Sequence, residues 1–76
     1  MAIYRRFREG GFRPDEIFYM SAAYELALHR LQVNRNDPIT EIIAGKVIEV
    51  ARSGQRDPAV ICDAVQKYLS DTKLKP

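Results

Sequence analysis

At 76 residues, with one cysteine and one histidine, the chain is too short for two cores and can form neither an internal disulfide nor a Cys/His zinc cluster. Its 12 basic and 10 acidic side chains give a net charge of +2, distributed unevenly: Arg5, Arg6, Arg8 and Arg13 against Glu9 put +3 in residues 1–13, which leaves −1 for the rest. Nucleic-acid-binding domains usually spread basic residues over a folded face, so the body of the chain argues against that class. A lone core of this size supplies only about 3–5 kcal/mol, and with disulfide and metal ruled out, self-association is the remaining support. The unpaired Cys62, the lack of a signal peptide and the lack of an apolar run near 18 residues predict a soluble cytoplasmic protein with no membrane contact.

The chain opens with MAIYRRFREGGFR, whose Gly10-Gly11 pair breaks regular structure. Residues 1–13 are therefore expected to form a mobile basic arm, solvated apart from one or two tucked aromatics. In it Tyr4, Arg5, Arg6, Phe7 and Arg8 interleave rings with guanidinium groups, the combination that stacks on bases and pairs with phosphates in single-strand binders.

Proline then punctuates the chain at Arg13-Pro14, Asp37-Pro38 and Asp57-Pro58. Each reads as a helix start, because proline suits the first helical position and a preceding Asp caps free amides of the first turn. Asn34-Arg35-Asn36 and Ser53-Gly54-Gln55-Arg56 read as stops, with Gly54 as a left-handed C-terminal cap. The expected fold is all-α: a small three-helix domain over residues 14–70, with helices at 14–33, 38–53 and 58–70 and a C-terminal tail at 71–76.

Projection at about 100° per residue shows which faces need cover. The third helix carries Val60, Ile61, Ala64, Val65, Tyr68 and Leu69 on one side and Asp63, Gln66, Lys67 and Ser70 on the other. The second is apolar around most of its circumference, from Ile39 to Ala51, which predicts that 38–53 is the central helix. Its Gly45 marks either a close backbone contact or simple tolerance. The first helix carries two apolar stripes: Ile17, Met20, Tyr24, Ala27, Leu28 and Leu31, and nearly opposite them Phe18, Ala22, Leu26 and Val33, with Tyr19 alongside. A three-helix domain has little left to cover the second stripe. Either a second chain does so, which is the favoured expectation, or the arm folds back with Ile3, Tyr4 and Phe7.

Catalytic and metal-binding candidates are few. Glu25 and His29 are spaced i, i+4 but lack a third ligand nearby, so they read as a surface pair; Cys62 reads as a small packed thiol. Arg35 and Arg56 precede the Asp37 and Asp57 caps and are expected to form capping salt bridges rather than an anion site. No phosphate-binding glycine loop, dinucleotide fingerprint, zinc-protease motif or nucleophile elbow occurs. The expectation is a chain without catalytic residues, metal or cofactor.

The stretch from Phe12 to Leu69 resembles short uncharacterised helical proteins of rhizobia and related alphaproteobacteria. The resemblance rests on Phe12-Arg13-Pro14-Asp15-Glu16-Ile17, on the segment from Ala51 to Pro58 and on Ile61-Cys62-Asp63-Ala64. It implies an intracellular bacterial helical domain and assigns no site residues. Together these readings predict a non-enzymatic interaction or regulatory module, a homodimer through Phe18, Ala22, Leu26 and Val33. The alternative is a nucleic-acid-binding protein that uses Tyr4, Arg5, Arg6, Phe7 and Arg8.

Overall fold

The computed structural model describes the backbone of residues 2–73 and the side chains of residues 5–70. Within that range the chain is all-helical, in the order α1 (Ala2–Glu9), α2 (Pro14–Leu31), α3 (Ile39–Arg52) and α4 (Pro58–Lys73). Four helices stand where three are expected, and α4 continues into the expected tail. The added helix lies in the expected arm, and its Phe7 is fully buried in the core. The apolar spacing there is itself helical: Ile3, Tyr4 and Phe7 fall at i, i+1 and i+4. The side chains of Ile3 and Tyr4 lie outside the described residues.

The helix boundaries follow the punctuation. Pro14 opens α2, and the Glu16 carboxylate accepts the Arg13 amide at 2.8 Å. Asp37 Oδ1 accepts the Ile39 amide at 3.0 Å, and Asp57 Oδ1 accepts the Ala59 amide at 3.0 Å, so both aspartates cap the helices that follow them. Gly54 has φ +102° and terminates α3; Gly11, at φ +86°, turns the chain after α1. Gln32 takes the same left-handed role at the end of α2 with φ 54°, a conformation that costs a residue with a Cβ about 1–2 kcal/mol.

The core gathers Phe7 from α1; Ile17, Met20, Ala23, Tyr24, Ala27 and Leu28 from α2; Ile43, Ala44, Val47 and Ala51 from α3; and Ile61, Cys62, Val65 and Leu69 from α4. The central helix is α2, which packs against each of the other three, and not the expected 38–53 segment. The reason lies in the two-sided apolar character of α2, which lets it serve several neighbours. The broad apolar circumference of α3 is only partly used, with Ile42 half-exposed and Ile39, Ile48 and Val50 half-buried. The buried face of α4 is turned toward Cys62, leaving Val60 and Tyr68 partly exposed. Tyr68 is overlaid by the Lys46 ammonium, 4.7 Å from the ring centroid.

α1 is held to the body by Phe7 and by polar links at the surface. Arg6 donates to Glu41 of α3 in an exposed ion pair, and Arg52 Nη2 donates to the Gly10 carbonyl at 3.3 Å. The Arg52 guanidinium also lies 5.1 Å from the centre of the Phe12 ring. Gly45 faces α1, yet a Cβ there would meet only Arg6 Nη2, at 3.9 Å. No close backbone approach requires this glycine.

Candidate functional site: the outward face of α2

Because α2 is covered by three neighbours, its remaining face is narrow. Asp15, Phe18, Ala22 and His29 all lie on it and are all exposed. Helical geometry puts them within an arc of about 60°. Phe18 is 79% exposed, more than Ile42 (50%), Tyr68 (44%) or Val60 (42%), the other large apolar residues that face outward among the described residues. The expected second stripe is therefore divided. Phe18 and Ala22 point to solvent, whereas Leu26 and Val33 turn toward the flank and are half-buried against the core, together with Tyr19.

At its C-terminal end this face runs into a shallow depression of about 240 Å³ lined by Glu25, Leu28, His29, Val33 and Arg35. Arg35 straddles Glu25 with a two-pronged pair: Nη1 donates to Oε2 at 2.7 Å and Nη2 donates to Oε1. This bond holds the Arg35 guanidinium above its ordinary pKa. The pair ties the loop after α2 back onto the helix. It replaces the expected bridge from Arg35 to Asp37, because the Asp37 carboxylate is directed at the Ile39 amide. At the second loop Asp57 likewise turns to the Ala59 amide, and the Gln55 side chain accepts from the amides of both Arg56 and Asp57 at 3.1 Å. Glu25 is thereby committed to Arg35 rather than to His29 one turn on. Among the described residues no group of three or more His, Cys, Asp or Glu is placed to hold a metal ion.

Cys62 is fully buried, and burial pushes its thiol above the ordinary value. Beside it, Arg30 donates to Asp63 Oδ1 at 2.6 Å, an exposed link between α2 and α4 that raises the Arg30 pKa. A thiol kept neutral and out of solvent is a packing group.

The basic N-terminal cluster is dispersed by the fold. Phe7 is inside the core and has no face to offer a base, and Arg6 is engaged with Glu41. Arg5 and Arg8 remain exposed, and the side chain of Tyr4 lies outside the described residues. The interleaved ring-and-guanidinium arrangement expected of residues 4–8 is thus lost at its centre. The signal that identifies Phe7 as a core residue is its i+4 spacing from Ile3, masked by the arginines around it. No described helix is long and apolar enough to cross a membrane. No family model, curated protein or solved structure matches the chain.

Proposed function

We propose that this chain is a non-enzymatic interaction module that self-associates through the outward face of α2, with Phe18 and Ala22 at the centre of the contact and Leu26 and Val33 at its edge. The observation that carries this reading is the exposure of Phe18 on a helix whose other sides are already packed. A phenyl ring left in water by a chain that buries Phe7 completely marks a surface that gains from cover. The lone cysteine, buried and without a partner thiol, supports a reducing compartment such as the cytoplasm.

Sedimentation velocity tests the proposal. The wild-type chain is expected to be substantially dimeric near 100 μM, where an interface of about 5.5 kcal/mol is half formed. Phe18→Glu should make it monomeric, because it places an unpaired carboxylate in an apolar contact. Phe18 is the right probe and Leu26 is not, since Leu26 also packs against the core and a charge there would perturb folding. A monomeric wild-type chain at that concentration refutes the proposal. A folded Phe18→Glu protein that still dimerises moves the interface to another surface, such as the one around Ile42 and Tyr68.

A further inference from the structure

The outward face of α2 is self-complementary about one residue. Measured from Ala22, Phe18 lies four positions before and Leu26 four after; Asp15 lies seven before and His29 seven after. Four residues is about one turn and seven about two, so all five positions share one side of the helix. Asp15, Phe18, Ala22 and His29 are exposed, and Leu26 is half-exposed at the flank.

We infer that two copies of this chain pair through antiparallel α2 helices crossing at Ala22, an inference that rests on the self-association proposed above. In that register a two-fold axis passes beside Ala22, whose small side chain lets the helices approach. Phe18 meets the partner's Leu26, and Asp15 meets the partner's His29, twice each by symmetry. The charge arrangement selects this orientation. A parallel pair sets Asp15 against Asp15 and aligns the two helix dipoles unfavourably, whereas the antiparallel pair puts a carboxylate opposite an imidazole and opposes the dipoles. Asp15 is accessible for this role: its tie to Arg13 Nη2 is an exposed contact at 3.5 Å, at the outer limit of a hydrogen bond. Glu25 does not compete for the partner's Asp15 or His29, being clamped by Arg35. Among the described residues the other exposed large apolar side chains, Ile42, Val60 and Tyr68, lie on α3 and α4 and have no place in this contact.

Thiol cross-linking reads the register directly. Ala22→Cys puts two thiols beside the axis and is expected to give a disulfide-linked dimer under mild oxidation. Asp15→Cys and His29→Cys proteins should cross-link when mixed but not when oxidised separately, because like positions are then about 21 Å apart along the helices. Wild-type protein, whose Cys62 is buried, is the control and should stay uncross-linked. Circular dichroism of each variant establishes that it is folded, and the mixed pair tests the register independently if Ala22→Cys perturbs packing. Self-linking of Asp15→Cys would establish a parallel pair and overturn the inference. A sedimenting wild-type dimer that yields neither the Ala22→Cys product nor the mixed product overturns the register while leaving self-association intact. A monomeric wild-type chain near 100 μM removes both.

Discussion

α1 and α4 sit at opposite ends of the chain and attach to α2 in different ways. α4 sends Ile61, Cys62, Val65 and Leu69 into the core along three turns, and Arg30–Asp63 adds an outer link. Among its described side chains α1 sends in only Phe7, and its other ties, Arg6–Glu41 and Arg52 to the Gly10 carbonyl, lie at the surface, where ion pairs contribute about 0–1 kcal/mol. An isolated helix of eight residues is far below the length that holds itself together in water. α1 therefore depends on the docking of Phe7, whereas α4 is interlocked with the body and cannot leave without dissolving it.

Truncating one core side chain in each helix distinguishes the two attachments. Ile61→Ala should cost about 2–5 kcal/mol, the whole stability of a domain this small, and amide exchange should accelerate in α2, α3 and α4 together. Phe7→Ala should have a different signature. Up to about 3–5 kcal/mol is lost if α1 remains docked around the void, but release of α1 limits the loss to its own docking energy. Exchange protection is therefore expected to vanish in α1 while much of α2–α4 keeps its own. Equal loss of protection across all four helices in both variants would show that α1 is as integral as α4.

Within the body, the caps hold the starts of α3 and α4. Asp37→Ala and Asp57→Ala each remove an acceptor from a helix start and should each cost about 0.5–2 kcal/mol in a denaturant melt. Asp57 starts the interlocked α4, so its loss should lower global stability, and an unchanged midpoint for both variants would refute the capping role.

Cys62 gives a pH test of the α2–α4 contact. Burial raises its pKa in the fold, so the unfolded thiol, at about 8.5, ionises first as pH rises. Its contribution is complete below that value and is lost as pH climbs through the folded one. The stability difference between wild type and Cys62→Ala should therefore shrink between neutral and alkaline pH, and thiol reagents should reach Cys62 only as the protein opens. Rapid labelling of the native protein would contradict its burial.

Much of this architecture is legible from residues whose chemistry is local. The Asp-Pro starts, the Gly54 stop and the main stripe of α2 act within one helix turn, so spacing alone locates them. α1 is harder to read because two local signals oppose each other: the glycine pair and the arginines suggest an arm, and only docking of Phe7 on α2 resolves the helix. The same holds for the centre of the fold. Apolar circumference suggests α3, yet which helix is surrounded depends on how four helices share their faces, and a fourth helix changes that count. At the candidate site, Phe18 and Ala22 are recognisable from the projection, but the turn of Leu26 and Val33 toward the core depends on tertiary contacts. The Arg35–Glu25 clamp spans ten residues and has no periodic signature.

One substitution made at two glycines, Gly45 within α3 and Gly54 just past its end, should act in opposite directions. At Gly45 the backbone is helical and a new Cβ meets only Arg6 Nη2 at 3.9 Å, an ordinary contact with the tip of a flexible side chain. Gly45→Ala should therefore stabilise the protein by about 0.5–1 kcal/mol through helix propensity and a less flexible unfolded chain. At Gly54 a Cβ meets nothing within 4 Å, so space is plentiful, but φ is +102°. There Gly54→Ala should destabilise by about 1 kcal/mol or more, since the penalty comes from the backbone conformation and not from a neighbour. Opposite signs in paired denaturant melts are the expected result. If Gly45→Ala also destabilises, the Arg6 guanidinium is fixed by Glu41 too firmly to yield, and α1 is docked more rigidly than Phe7, the one buried side chain among its described residues, implies.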